Sequence, residues 1–234
     1  MENLLPHHIA IIPDGNRRWA RNKGVEAWDG HEEGAKNIEN LVRKAFELKI
    51  KNVSFWGSSL ENLQKRPLRE KQELLRIYEK YFEKLMSSED IFKNQARINV
   101  IGKWESQFPQ SLIKIIKAGI EKTKNHSNYN LNFFLAYSGD DEMIEAIKSI
   151  AKEKIDADEI SKDVIKAHLM TRDLPEVDYL IRTGGEPHLS AGFMMWDLAN
   201  VQLYFSEKYF PDFGPEELRE AIEEYQRRGR RVGS

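Results

Sequence analysis

The feature that most constrains the fold is a regular alternation of short apolar runs with amphipathic helical patterns along the whole chain of 234 residues. The runs have the length and the β-branched content of buried strands. Such alternation favours one α/β domain over residues 1–234, with a central, mostly parallel sheet flanked by helices. The expected strands are residues 8–12, 53–56, 98–101, 131–137, 179–182 and 201–205.

The helical patterns lie between these runs. One begins near Glu33 and a second runs from Leu74 to Met86, each with its apolar residues on one face. Others follow Pro109 and Gly139, cover residues 161–170, and follow Pro215, where proline suits the first turn of a helix.

Composition excludes several classes of protein. With 36 Lys and Arg against 38 Asp and Glu, the net charge is -2, whereas a nucleic-acid binder is usually clearly basic. The absence of cysteine excludes disulfides, thiolate metal sites and a cysteine nucleophile. The N-terminus lacks a basic segment followed by an apolar one, and no apolar run reaches the ~18 residues of a membrane span. We therefore expect a cytoplasmic protein that is at most peripheral to the membrane.

Glycines, hydroxyls, amides and arginines follow the expected strands. In open α/β sheets, ligands bind beyond the carboxyl ends of the strands. Each loop alone has the composition of an ordinary turn, but their shared edge favours an anion-binding active site. The loops are residues 14–18, 57–62, 138–142 and 183–190.

The first of these loops has the chemistry to bind a diphosphate. Gly15 permits close backbone approach and exposed amide N–H groups, while Arg17 and Arg18 offer forked donors to phosphate oxygens. Asp14 can hold a Mg²⁺ ion that bridges to those oxygens. His31 ends a short polar connection after this loop. A turn flanked by solvated charges is the alternative interpretation.

Taken together, the motifs resemble those of the cis-prenyltransferases, the undecaprenyl diphosphate synthase family. The similarity extends over nearly the whole chain in the order of the family. The matching segments are Asp14-Gly15-Asn16-x-Arg18-Trp19, Gly30-His31-x-x-Gly34, Ser59-x-Glu61-Asn62 with Arg66-Pro67, Arg97 to Gly102, Ile181 to Glu186 with Leu189-Ser190 and Trp196, Leu203-Tyr204-Phe205, Pro211-Asp212-Phe213, and Arg230 to Gly233.

The resemblance implies a homodimer with a hydrophobic tunnel and Mg²⁺-dependent condensation of isopentenyl diphosphate with an allylic prenyl diphosphate, forming Z double bonds. The product is then delivered to a membrane. Tyr78, Phe82, Leu85 and Met86 are expected as tunnel wall, although the same spacing is typical of ordinary core packing.

The resemblance also implies residue roles. Asp14 is the expected Mg²⁺ ligand, with Gln202 at the position that completes the metal site. Asn16, His31, Ser59 and Asn62 are expected where the chain is joined and a proton is lost. The expected substrate-binding residues are Gly15, Arg17, Arg18, Trp19, Arg66, Arg182, His188 and Ser190.

Three positions depart from the family pattern. Ala27 and His188 stand where the family usually has arginine, and Gln202 stands where it usually has glutamate. Each charged hydrogen bond is worth about 1.5–3 kcal/mol, so these changes weaken diphosphate or metal binding unless other residues compensate.

Three further hypotheses follow from these departures. One is short-chain or irregular coupling of prenyl diphosphates on the same scaffold. Another is a non-catalytic partner subunit of a heteromeric enzyme, although retention of Asp14 and Arg182 speaks against it. The third is a hydrolase with Asp140 and Asp141 as metal ligands, but adjacent acids at a helix start more often complement the helix dipole.

Overall fold

In the computed structural model, which describes residues 5–229, six parallel strands form one sheet. The order across the sheet is β3-β4-β2-β1-β5-β6, so β1 is central and β6 is an edge strand. This confirms the expected α/β class. In chain order the strands are β1 (His8–Ile12), β2 (Asn52–Trp56), β3 (Ala96–Ile101), β4 (Tyr129–Phe134), β5 (Tyr179–Arg182) and β6 (Gln202–Phe205).

Helices cover both faces of the sheet. The larger apolar cluster includes the inner faces of the long helices between β1 and β4 and of the last helix. A smaller cluster on the other face includes the segment after β5. The helices are α1 (Asn16–Lys23), α2 (Ala27–Glu47), α3 (Leu60–Lys65), α4 (Leu68–Met86), α5 (Glu89–Lys93), α6 (Trp104–Gln107), α7 (Gln110–Thr123), α8 (Gly139–Glu153), α9 (Lys162–His168) and α10 (Pro215–Arg228).

Strand register decides where the site can lie. Ile12, the last residue of β1, pairs with Arg182, the last residue of β5, and Ile11 pairs with Phe55 of β2. Because all three strands are parallel and in step, their carboxyl ends meet at one edge. The segments that follow β1, β2 and β5 are therefore neighbours in space.

The connection after β1 differs from expectation. Residues 16–23 form α1 and α2 begins at Ala27, so His31 lies within a helix and not at the end of a polar connection. Helix α1 buries Ala20 alone and so lacks the apolar periodicity that would have predicted it. Gly24, at φ 70°, caps α1 and turns the chain into α2.

The strand expected at 131–137 ends earlier, at Phe134. Beyond it, the Leu135 N–H still donates to the carbonyl of Ile101 at 2.9 Å, and Ala136 then adopts a left-handed φ of 50°. That turn brings Ser138 to the start of α8, where its hydroxyl accepts from the Asp141 N–H.

The acidic pair at the start of α8 serves the helix. Asp141 pairs with Lys103 at 2.9 Å, and Asp140 lies in the same first turn. Carboxylates at this end are stabilised by the helix dipole. The structure therefore gives the hydrolase hypothesis no support.

The apolar runs near the C-terminus divide into two environments. Phe193 and Met194 are fully buried in the chain's own core, where Phe193 packs against Phe134 with ring centroids 5.0 Å apart. Leu203 and Phe205, by contrast, remain exposed on the edge strand β6. The tail residues Arg230 to Gly233 lie outside the described residues. In residues 5–229 we find no helix with the length and apolar character needed to cross a membrane.

Candidate active site

A cleft of about 840 Å³ opens at the carboxyl ends of β1 and β2. Helices α1 and α2 form one wall, and α3 with the start of α4 forms the other. Eight of the expected site residues line this cleft together, as expected if loops that follow neighbouring strands meet at one edge of the sheet. They are Asp14, Gly15, Asn16, Arg17, Arg18, His31, Asn62 and Arg66.

Asp14 lies between two guanidinium groups. Its Oδ2 accepts from Arg182 Nη2 at 2.8 Å, and its Oδ1 lies 3.2 Å from Arg18 Nη2. The Gly15 N–H also donates to Oδ1, at 2.6 Å. A second carboxylate, Glu186, accepts from Arg18 Nη1 at 3.1 Å. Two arginines are thus held at the cleft by acids.

Gly15 has the backbone geometry that only glycine adopts readily. Its φ is 101°, and a Cβ at this position would lie 2.6 Å from Cδ1 of Tyr209. The bend places the first turn of α1 at the cleft, and the amides of a helix's first turn have no partner within the helix. These amides and the helix dipole favour an anion at this point.

Asn16 is held in place by the close packing of α1 on α2. Its Nδ2 donates to the Pro13 carbonyl at 2.8 Å, while its Oδ1 is buried with no hydrogen-bond partner among residues 5–229. A Cβ on Gly34 would collide with this oxygen. The oxygen is therefore enclosed where α1 packs on α2, and the absence of a side chain at Gly34 leaves room for it.

His31 of α2, Arg66 and Glu70 form a buried network that joins the two walls. Arg66 Nη1 donates to His31 Nε2 at 2.9 Å and to Glu70 Oε1 at 2.6 Å. A guanidinium cannot accept a hydrogen bond, so His31 Nε2 must be unprotonated. The neutral imidazole therefore carries its proton on Nδ1.

Burial and charge fix the protonation states of this network. Burial lowers the pKa of His31, and the positive charges of Arg66 and Arg17 act in the same direction while Glu70 opposes them. The guanidinium of Arg66, which donates to Glu70 Oε1, and the charge of Arg17 lower the pKa of Glu70 to about 2, whereas burial opposes this shift. Near neutral pH the network holds a neutral histidine and a charged carboxylate.

Arg182 connects the cleft to the loop after β5. The residue is almost fully buried, and besides Asp14 it donates to the backbone carbonyl of His188. The His188 side chain is 59 % exposed, and its Nδ1 lies 3.8 Å from Glu186. The Nε of Arg182 is buried with no partner among the described residues. Ser190 follows in the same loop, half-buried.

Besides Arg182, His188 and Ser190, three more expected site residues are not part of the cleft lining. Ser59 caps α3 by accepting from the Asn62 N–H at 3.0 Å, and its neighbour Ser58 lines the cleft instead. Trp19 turns away from the cleft and donates to Asp212 at 2.9 Å. Gln202 is level with Tyr179, three residues before Arg182 in register, which places it about 10 Å back along the sheet.

Sequence reasoning missed Glu70, Ser58 and Glu186. A carboxylate on an amphipathic helix is usually solvated, and nothing in the spacing of Glu70 links it to His31. Glu186 lies within the expected loop and was not assigned the partnership with Arg18 that the structure shows.

An apolar pocket of about 90 Å³ adjoins the cleft between α2, α4 and the sheet. Pro13 and Gly57 line both spaces, so the polar cleft and the apolar pocket are neighbours. Tyr78, Phe82 and Leu85 line it as expected for a tunnel wall, whereas Met86 does not and lies against Gly119 on α7. The ring of Phe82 meets that of Phe133 edge-on.

The cleft residues suit Mg²⁺ only together with a phosphate ligand. Among the described residues no group of three or more His, Cys, Asp or Glu side chains surrounds one point. Mg²⁺ typically binds one or two carboxylates together with water and substrate phosphates. Asp14 supplies one such carboxylate beside arginines that favour phosphate, so the donor set fits a metal that arrives with a diphosphate.

Comparison with known proteins agrees with this geometry. Residues 12–233 match the family model of undecaprenyl diphosphate synthase. An isoprenyl transferase of Halalkalibacterium halodurans is 41 % identical over 99 % of this chain and 90 % of its own length. A tritrans,polycis-undecaprenyl-diphosphate synthase (geranylgeranyl-diphosphate specific) of Thermoplasma volcanium is 39 % identical over 97 % of this chain and 89 % of its own.

A solved structure is also similar. The crystal structure of lavandulyl diphosphate synthase from Lavandula x intermedia, in complex with dimethylallyl diphosphate, superposes with a TM-score of 0.93. The two sequences are 32 % identical, and the match covers 98 % of this chain and 99 % of the other.

The Glu70 network gives a pH prediction. Its pKa falls from the ordinary 4.5 to about 2 on folding, which corresponds to about 3 kcal/mol of stability. A lowered folded-state pKa contributes stability above pH 4.5 that is lost as pH falls towards 2. Wild type should therefore exceed Glu70→Gln in unfolding free energy at pH 7, and the gap should shrink from about pH 5 downward. Urea unfolding at a series of pH values measures it.

The matched control is Glu73→Gln on the same helix, where the partner Arg76 is exposed. This control should show a small difference with little dependence on pH. A gap for Glu70→Gln that stays constant between pH 7 and pH 3.5 would contradict the assigned charge state.

Proposed function

The chain belongs to the undecaprenyl diphosphate synthase family and is a cis-type prenyltransferase, and from this premise we propose that its cleft condenses isopentenyl diphosphate with an allylic prenyl diphosphate. The product is a Z (cis) polyprenyl diphosphate. One observation carries the proposal: a cleft rich in arginine around a single carboxylate lies directly beside an apolar pocket, and Pro13 and Gly57 line both. The first space suits a diphosphate and the second suits a prenyl chain.

The first wall of the cleft binds the allylic diphosphate. Arg18 and the amides at the start of α1 offer donors that strengthen as the carbon–oxygen bond breaks and negative charge develops on the leaving diphosphate. Arg18 is at present shared between Asp14 and Glu186. An incoming diphosphate competes for this guanidinium and releases Asp14 from one of its partners.

Asp14 is proposed as the residue that holds Mg²⁺. Bound there, the ion would neutralise developing charge on the leaving diphosphate. The residue has a fixed position, because its backbone carbonyl accepts from Thr183 Oγ1 at 2.7 Å and from the Phe210 N–H at 3.0 Å. The carboxylate therefore stays in place while its arginine partners rearrange.

Carbon–carbon bond formation takes place between the two walls. The allylic carbon loses the diphosphate with its bonding electrons, the double bond of isopentenyl diphosphate attacks, and a proton then leaves the adduct. Asn16, His31 and Asn62 surround this point. Neutral His31, fixed through Nε2 by Arg66, presents no positive charge of its own to the carbocation.

Isopentenyl diphosphate is proposed to bind beside Arg182 and Ser190. The buried Nε of Arg182, which has no partner in the described chain, is a donor available to a phosphate oxygen. The guanidinium is already oriented by Asp14 and the His188 carbonyl. The His188 side chain lacks the forked donors that an arginine would bring to this subsite.

A second candidate is irregular or short-chain coupling of prenyl diphosphates in the same cleft. The observation that favours it is the altered second subsite, where the exposed His188 replaces an expected arginine side chain. The similarity to lavandulyl diphosphate synthase adds support. Product analysis with allylic diphosphate alone distinguishes this candidate, because cis condensation requires isopentenyl diphosphate.

A homodimer is proposed to form through the edge strand β6. Leu203 and Phe205 are exposed there, and an isologous contact would cover both on each copy.

Within one chain Gln202 is too far from Asp14 to share a ligand with it. We assign Gln202 to the metal site of a second copy, reached across this contact. From the family membership we also propose that the product is delivered to a membrane surface.

Asp14→Asn tests the function directly. The protein is incubated with Mg²⁺, radiolabelled isopentenyl diphosphate and a panel of allylic diphosphates, and products are separated by chromatography. Wild type should form a prenyl diphosphate, and Asp14→Asn should lose about 100-fold or more of the rate, since it removes charge at the ionising diphosphate. Because Asp14 pairs with buried Arg182, the variant should also lose about 1–3 kcal/mol of stability.

The control is Asp173→Asn, which changes an acid that is 90 % exposed. It should retain wild-type rate and stability. Near-normal turnover of Asp14→Asn, or full wild-type activity in EDTA, would exclude Asp14 and its metal from the reaction.

The altered positions give a prediction of their own. His188→Arg should lower the apparent KM for isopentenyl diphosphate, because it adds a guanidinium with forked donors for phosphate oxygens. Gln202→Glu should lower the Mg²⁺ concentration needed for half-maximal rate, because it adds a charged ligand. Steady-state kinetics at several substrate and Mg²⁺ concentrations measures both. Loss of activity in both variants would favour the second candidate function.

Assembly is tested at the edge strand. Light scattering should give a dimer of the 27.3 kDa chain at micromolar concentration. Leu203→Asp should shift it to monomer, because it places a charge in the proposed contact. Ile160→Asp is the control, since Ile160 is also exposed but lies away from β6. A wild-type monomer would refute the dimer.

A further inference from the structure

Polar contacts between α2 and α4 border the apolar pocket beside the cleft. Two acids of α2 reach across to α4. Glu39 Oε2 lies 2.8 Å from Lys84 Nζ, and Glu32 Oε1 accepts from both Lys80 and Tyr81, the latter at 3.2 Å. We define these five residues, Glu32, Glu39, Lys80, Tyr81 and Lys84, as the clasp.

Two members of the clasp form part of the pocket wall. Glu39 and Tyr81 line the pocket together with aliphatic and aromatic side chains. Oε1 of Glu39 is buried and has no hydrogen-bond partner in residues 5–229. A carboxylate oxygen in an apolar wall carries a desolvation cost that grows when an apolar chain displaces its remaining water. Prenyl groups are therefore disfavoured next to it.

The pocket is too small for a long prenyl chain. Its volume is about 90 Å³, whereas a cavity of ~150 Å³ holds one benzene molecule. Growth of the chain requires α4 to separate from α2. The clasp opposes that separation, because its ion pairs bridge the two helices on the solvent side.

Tyr81 adds rigidity to the clasp. Its ring lies beneath Lys80 and Lys84, whose ammonium groups are 5.5 and 5.8 Å from the ring centroid. Burial and the neighbouring Glu32 raise the pKa of the Tyr81 hydroxyl, which therefore stays protonated and donates. Cation–π contacts of this kind are worth about 0.5–1 kcal/mol at exposed sites.

We propose that the clasp sets the length of the product, with Glu39 as the specificity-determining residue. This inference rests on the proposed prenyl transfer and names the side chains that limit its product. Removing the Glu39 carboxylate deletes one of the two bridges between α4 and α2 and makes that part of the pocket wall apolar.

The test compares Glu39→Leu with wild type in the radiolabel assay. After dephosphorylation, reversed-phase chromatography resolves products by number of isoprene units. Glu39→Leu should shift the main product by one unit or more towards longer chains. Glu39→Gln, which loses the ion pair but keeps a polar side chain there, should give a smaller shift.

The control is Glu33→Gln. Glu33 pairs with Lys36 on α2 itself and has no bridge to α4, so its loss should not change product length. Identical product distributions for Glu39→Leu and wild type overturn the inference, as does an equal shift in the control. If wild type gives no condensation product at all, the proposed function itself is wrong.

Amide hydrogen exchange separates the structural part of the inference from turnover. Without substrate, Glu39→Gln should exchange faster than Glu33→Gln in residues 78–86 of α4, because fewer contacts hold that helix to α2. Equal exchange in the two variants would show that the clasp does not hold α4.

Discussion

The Asp14 carboxylate, held between Arg18 and Arg182, is the interaction on which the site depends. It joins the end of β1 to the end of β5, two adjacent parallel strands whose last residues are level. Arg18 and Arg182 both lie close to this carboxylate, and a buried guanidinium without an anionic partner is costly in free energy. Asp14 is the partner that the two arginines share. The sheet places the loops after β1 and β5 next to each other, and the attraction between Asp14 and the two arginines stabilises that contact.

This arrangement also explains why the cleft can bind and release an anion. In the absence of substrate, Asp14 and Glu186 hold Arg18, and Asp14 also holds Arg182. Exchange of one anionic partner for another leaves each guanidinium paired throughout. The glycines at 15 and 184 allow this close approach, because a Cβ on Gly184 would lie 2.7 Å from Arg18 Nη2. A preorganised site of this kind needs little rearrangement when charge develops.

Much of the architecture can be predicted from sequence, and the exceptions have physical causes. β1 and β5 have the expected bounds because both are short apolar runs that end abruptly. Helix α1 was missed because it is polar and is stabilised by packing on α2, so tertiary contact and not periodicity specifies it.

The residues of the site also divide into those that the sequence predicts and those that only the tertiary structure defines. Asp14, Arg18 and His31 carry a recognisable pattern along the chain, whereas Glu70 is defined by the space between two helices. Which of two adjacent serines faces the cleft depends on where α3 begins. Ser59 is used as its cap, and this leaves Ser58 to the cleft, a detail that no pattern in the sequence contains.

The boundary between the cleft and the apolar pocket lies at the two residues that line both spaces. Pro13 and Gly57 stand side by side after β1 and β2, and neither brings a charged group to the passage. A Cβ at position 57 would lie 2.6 Å from Leu135, so a side chain there would narrow the passage. Charge is stabilised on one side of this boundary and water is excluded on the other. A carbocation formed at the boundary thus has the diphosphate on one side and apolar walls on the other, which is the environment that directs it towards a carbon nucleophile and away from water.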